Sequence, residues 1–155
     1  EKEVKEATRV LGIEPDNLIL FNYPVREFPA YRQKILEDMV RLGNELRPEL
    51  VLLPSINDTH QDHHTIAEEG TRAFKHINML SYELLWNLLG FAPSLFVPLQ
   101  KGHLDILGSD LSRYQSQKHR NYANKEFLYG WARTRGVQVN CDYAEAFEVV
   151  RWILR

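Results

Sequence analysis

Residues 49–70 read ELVLLPSINDTHQDHHTIAEEG, and the way this stretch divides decides the fold. Its first part, Glu49–Ser55, is a continuous apolar run of the kind found in strands buried on both faces of a sheet. From Thr65 the residues TIAEEGTRAFKH take on a helical period. Between the two lies a polar run in which three of the six histidines, His60, His63 and His64, fall within five residues, interleaved with Asp58 and Asp62. A buried core has no use for such a run and a solvated loop does not need it. A strand, a loop and a helix in that order are one half of a βαβ unit.

The same alternation continues outward. NLILF (Asn17–Phe21) reads as a short apolar strand, followed by the proline-bounded loop NYPVREFP. From Tyr31 to Leu46 the apolar positions Ile35, Leu36, Met39, Val40 and Leu42 follow a helical period that Pro48 closes. Downstream, NMLSYELLW supplies a strand through Tyr82 and SLFVPL another. Helices are expected over about Leu104–Gln115 and Gln117–Arg133, and AEAFEVVRWIL reads as a last strand. The opening EKEVKEATRVLGI is a helix with Gly12 as its stop. Alternating strands and helices predict a three-layer, Rossmann-like α/β domain with a mainly parallel sheet.

Composition narrows the function classes. The chain has 155 residues, 44% hydrophobic and 26% charged, the balance of a globular domain with a real core. A net charge of −2 gives no broad basic surface, so nucleic acid is not an expected partner. No apolar run reaches the roughly 20 residues that span a bilayer. Cys141 is the only cysteine, which rules out an internal disulfide and a cysteine-built zinc site and points to a reducing, cytoplasmic setting.

In an open α/β sheet, ligands bind in loops beyond the carboxyl ends of strands, which is where the histidine run sits. Two readings of it stand side by side. Asp58, Thr59 or Asp62 can cap the following helix. Alternatively, His60 with His63 (three apart) or with His64 (four apart) can share a face if the helix starts early, and histidines with carboxylates are the donors of catalytic zinc. Adjacent side chains diverge, so a third ligand has to come from elsewhere.

At this point the residues resemble a known family. PSINDTHQDHHTIAEEG is similar to the second signature, a His-x-Asp-His run, of the LmbE-like/PIG-L family of zinc-dependent deacetylases of N-acetylglucosamine derivatives. NYPVREFPAYRQKILEDM, YQSQKHRNY and RGVQVNCDYAEAFEVVR extend the likeness over essentially the whole chain. The resemblance implies that His63 is a zinc ligand. It implies that His60 is the histidine that stabilises the tetrahedral oxyanion, with Asp62 pairing with that imidazole. Arg26, Asp58 and Glu145 are the candidates for substrate contact, each with an ordinary surface or turn role beside it. His64 inherits no role, and His76, His103 and His119 read as structural or exposed. The substrate implied is an N-acetylated sugar or glycoconjugate.

One departure bears on all of this. The family's other signature, His-Pro-Asp-Asp after a first strand, supplies two metal ligands and the general base, and it does not occur in these residues. We therefore expect a single LmbE-like domain over residues 1–155 that is N-terminally incomplete and lacks its first βα unit. An open sheet edge of that kind leaves room for a homo-oligomer. The alternative is a non-catalytic sugar-binding or interaction module that keeps the deacetylase fold.

Overall fold

The computed structural model describes residues 2–154. The elements run α1 (Lys2–Val10), α2 (Arg32–Leu46), β1 (Leu50–Pro54), α3 (Gln61–Ala73), β2 (Asn78–Tyr82), β3 (Leu95–Leu99), α4 (Lys101–Leu111), α5 (Lys125–Gln138) and β4 (Tyr143–Arg151). The four strands hydrogen-bond in the order β1-β2-β4-β3. β1 and β2 are parallel, with Leu50 opposite Asn78 and Pro54 opposite Tyr82. β4 runs antiparallel to β2, with a register irregularity at Met79/Leu80. The α/β class holds, and the sheet is mixed rather than wholly parallel. No helix among the described residues is long and apolar enough to cross a membrane.

The chain forms two compact units. One combines Asn22–Leu95 with the residues from Ala146 onward, and the other combines the residues up to Phe21 with Phe96–Glu145.

The first unit is built on the stretch that decides the fold. α2 ends where Arg47 turns left-handed (φ 47°) and donates its N–H to the Gly43 carbonyl, with Pro48 next in the chain. β1 then alternates: Val51 and Leu53 turn towards Phe74, Met79, Met39 and Ile66, which form the core. Leu50 and Leu52 are 44% and 51% exposed. The burial expected on both faces of this strand is therefore not met. β1 stands at one end of the strand order, and a period-2 strand in that position buries one set of side chains. α3 lies close on β1. A Cβ on Gly70 would stand 2.6 Å from Leu53 Cδ2, so the close approach requires glycine there. α3 is also tied to α2 by Glu69. Its fully buried carboxylate accepts from Arg32 Nε at 2.7 Å and from an Arg72 guanidinium N–H.

In the second unit, Leu104, Leu128 and Ala132 form the core with Leu99, Leu107, Leu111, Tyr129 and Tyr143 around them. α1 packs on α4, and Gly12, at φ 76°, ends the α1 segment. The strand expected over Asn17–Phe21 does not form. Pro15–Asn17 make a 3₁₀ turn, and Leu18–Phe21 are irregular, with Ile19, Leu20 and Phe21 each more than 40% exposed. The run has strand composition, but a strand exists only through a ladder, and these residues have none among the described residues. α5 starts later than the apolar periodicity suggests because Asn124 is its cap, accepting from Phe127 N–H at 2.8 Å.

Candidate active site

The site is the start of α3. The helix begins at Gln61, earlier than the apolar period alone indicates, and this puts His63 and His64 in its first turn with His60 as the cap. The early start follows from local bonds. Asp58 N–H donates to the Ser55 carbonyl at 3.1 Å and closes a turn directly after β1. Thr59 donates both its N–H and its hydroxyl to the Asn87 carbonyl, at 3.0 and 2.8 Å. His60 Nδ1 then accepts from Asp62 N–H at 3.2 Å, satisfying one of the open donors of the helix start. Asp62, in the first turn, also suits the positive end of the helix dipole.

Asp58 organises the histidines. Its side chain is 1% exposed, and both oxygens are engaged. Oδ1 accepts from His60 N–H at 2.8 Å, and Oδ2 lies 2.8 Å from His63 Nδ1. The His60 and His63 rings stack with centroids 4.5 Å apart and planes at 23°. The His63 side chain keeps 36% of its surface open. Nearby, burial and then the Asp58 charge push the Tyr82 phenol above its ordinary range. In this structure both Asp58 oxygens are committed to the turn and to His63, which is the turn role held beside substrate contact for this residue.

Asp62 differs from expectation in its partner. Its carboxylate does not meet the His60 imidazole. It accepts from the backbone N–H groups of Arg26 (2.6 Å) and Phe28 (3.2 Å), and Gln61 Nε2 adds a bond to the Arg26 carbonyl at 3.3 Å. Asp62 thus fastens the 23–31 loop onto the start of α3. Arg26 is held left-handed at φ 70°, an uncommon state for a residue with a Cβ, and its side chain is exposed at the rim of the site. At the base of the same loop, the Tyr23 hydroxyl donates to Asp38 Oδ2, and burial together with that bond raises its pKa to about 12.

The remaining residues settle as follows. His64 Nδ1 donates to the Ile56 carbonyl at 2.9 Å, and Nε2 lies 3.5 Å from Glu68. Glu148, absent from the sequence-predicted set, accepts from Ser55 Oγ (3.0 Å) and Ala92 N–H (2.7 Å) and so steadies the turn after β1. It carries no sequence signal, since it sits among ordinary alternating strand residues. Glu145 belongs to the other unit. Its side chain stays open to solvent, while the loss of hydration around the carboxyl raises its pKa. His103 in α4 accepts from Gln100 N–H at 3.2 Å, a capping role.

The fit of a metal can be judged from the donors. No group of three or more His, Cys, Asp or Glu that could hold an ion occurs among the described residues. Asp58 and Asp62 commit their oxygens to the fold, and His63 Nε2 is the donor left to offer. The described residues do not by themselves make the three-ligand site of a catalytic zinc.

Comparison with known proteins gives this geometry a context. Residues 1–74 match the model of the PIG-L family, described as GlcNAc-PI de-N-acetylase. No curated protein matches the chain. Among solved structures, the conserved protein TT1542 from Thermus thermophilus superposes with a TM-score of 0.74 at 24% identity, over 99% of this chain and 74% of that one. The N,N'-diacetylchitobiose deacetylase from Pyrococcus horikoshii gives 0.70 at 17% identity, over 96% of this chain and 62% of that one. GalB, the 4-carboxy-2-hydroxymuconate hydratase from Pseudomonas putida KT2440, gives 0.71 at 17% identity, over 99% and 72%. The resemblance to the PIG-L, or LmbE-like, family is thereby shown, and at these identities the structural likeness speaks for the fold.

Proposed function

We propose that this chain is the histidine-bearing part of a metal-dependent de-N-acetylase acting on a GlcNAc-type sugar or glycoconjugate. The observation that carries the reading is the stacked His60–His63 pair, built by a buried aspartate at the start of α3, inside a segment that matches a de-N-acetylase family. Two of the similar folds are those of deacetylases, the N,N'-diacetylchitobiose deacetylase and the teicoplanin deacetylase Orf2. The hydratase among them is a reminder that fold alone does not choose the reaction.

The reaction is amide hydrolysis. Water adds to the acetyl carbonyl, the C–N bond breaks, and acetate and a free amine leave. In this reading His60 donates a hydrogen bond from Nε2 to the developing oxyanion, the interaction that commonly contributes most in acyl transfer, and the proton that the general base takes from water goes on to the departing amine. Arg26, exposed and fixed by Asp62, is the residue we assign to sugar contact. Zinc is the metal this reading expects, with His63 as one ligand. The further ligands and the general base would have to come from outside these residues. A cytoplasmic setting is part of the same proposal.

A second reading, a sugar-binding module without hydrolysis, is favoured by the absence of a three-ligand cluster among the described residues. One experiment separates them. The nitrogen-15 labelled chain is titrated with N,N'-diacetylchitobiose and, separately, with zinc, beside His63→Ala. Sugar shifts at residues 26–28 and 60–64, together with zinc shifts at residues 58–64 that are lost in His63→Ala, support the histidine-bearing part of an enzyme. The same sugar shifts with no response to zinc support the module. No response of these residues to any N-acetylated sugar overturns both.

A further inference from the structure

The two stacked imidazoles are held by bonds of opposite sense. His63 Nδ1 faces a carboxylate oxygen, which can only accept, so that nitrogen carries the hydrogen and Nε2 keeps its lone pair. His60 Nδ1 faces the backbone N–H of Asp62, which can only donate, so that nitrogen keeps its lone pair and the hydrogen sits on Nε2. Neither Nε2 has a partner among the described residues.

We propose that Asp58 is a positioning residue that sets His60 and His63 in opposite tautomers, so that one ring offers a lone pair and its neighbour an N–H. Asp58 acts on both at once. Oδ2 selects the His63 tautomer, and Oδ1, on His60 N–H, fixes the backbone turn that brings the His60 ring under Asp62 N–H. Because its side chain is 1% exposed, water does not compete for either oxygen, and the selection is strong. His64, with Nδ1 on a carbonyl and Nε2 near Glu68, stands outside this pairing. For the reading under Proposed function the division is useful: the lone pair is what an electrophile or metal takes, and the N–H is what an oxyanion takes. The proposal rests on that reading only for its use. The tautomers are measured without sugar or metal, so an inactive chain leaves them standing.

The test is long-range proton–nitrogen correlation on the nitrogen-15 labelled chain, well above the ordinary imidazole range so that the rings are neutral. Each histidine then reports which nitrogen carries its hydrogen. His63 is expected as the Nδ1–H form and His60 as the Nε2–H form. His103, whose Nδ1 also accepts from a backbone N–H, is an internal reference in the Nε2–H form. In Asp58→Ala, His63 is expected to revert to the Nε2–H form that free imidazole side chains favour, while His103 stays unchanged. Asp58→Asn keeps one accepting oxygen and should restore the Nδ1–H form at least in part. An Nε2–H His63 in the unaltered chain overturns the proposal, as does a folded Asp58→Ala with His63 still Nδ1–H. Should Asp58→Ala not fold, the unaltered chain and Asp58→Asn decide it alone.

Discussion

The starts of α3 and α4 use the same device in different surroundings. In α3 the Nδ1 of the capping His60 accepts from Asp62 N–H, and in α4 the Nδ1 of His103 accepts from the capping Gln100 N–H, both at 3.2 Å. His103 is exposed, and the charges near it, Lys101 and Asp105, form a solvent-facing pair at 2.9 Å. His60 has beneath it a carboxylate with almost no access to water, and a second imidazole stacked on its ring. Histidine capping is therefore a structural habit of this chain, and what makes a candidate site of one instance is the buried Asp58. Exposed ion pairs change little when lost, whereas a buried acceptor that serves two donors leaves both unsatisfied.

That difference sets the largest expected effect. Asp58→Ala removes two hydrogen bonds in the interior and should lower stability by about 2–4 kcal/mol. His103→Ala removes one exposed cap and should cost about 0.5–1 kcal/mol. Urea unfolding midpoints of the two variants, measured side by side, check the comparison. Equal losses would mean that burial does not distinguish the two helix starts.

Much of this site is legible in the amino-acid sequence. The polar run after ELVLLPS announces itself because nothing apolar explains it, and the strand–loop–helix order gives it a place. The internal wiring is not legible, for physical reasons. Asp58 reaches His63 only because the helix starts at Gln61, and helix starts are set by bonds such as Asp58 with His60 N–H rather than by the apolar period. Asp62 reads as a partner for the nearby imidazole, yet its carboxylate goes to N–H groups 34 and 36 residues away, a tertiary choice that local spacing does not encode. Glu69, inside the polar-looking AEEG, is fully buried because two arginines, one of them in α2, close over it. Leu18–Phe21 fail as a strand for the converse reason: the apolar pattern is right, but a strand needs a neighbour.

A second effect, smaller than the first, sharpens the functional side of the comparison. Arg26 adopts a left-handed backbone so that its N–H can meet Asp62. Arg26→Gly should relieve that strain and raise stability by up to about 1 kcal/mol, offset in part by the freedom glycine gains when unfolded. The same change removes the exposed guanidinium. If that group contacts sugar, as we propose, affinity for N,N'-diacetylchitobiose should fall while the melting temperature rises. A stabilised variant with unaltered sugar affinity would assign Arg26 to the fold alone.

The smallest effect sets Asp58 against Asp110, a carboxylate in the last turn of α4. Asp58 is buried with both oxygens bonded, whereas Asp110 is buried with Oδ1 unpartnered. It also stands near the negative end of its helix, the wrong end for an anion. Burial raises its pKa above the ordinary carboxylate value. The sign follows from linkage. A carboxyl whose folded pKa is raised contributes stability that is fully present below its unfolded pKa and is lost as pH rises through the folded one. At neutral pH the ionised Asp110 therefore works against the fold, and Asp110→Asn, which keeps the shape and drops the charge, should stabilise the chain by roughly 1 kcal/mol or less. That gain should shrink towards zero as pH falls below the ordinary carboxylate range, where Asp110 is neutral as well. Unfolding midpoints of the two chains, compared across that range, measure it. A gain that stays constant down to low pH would mean that packing rather than charge separates aspartate from asparagine here, and the contrast with the satisfied Asp58 would lose its electrostatic half.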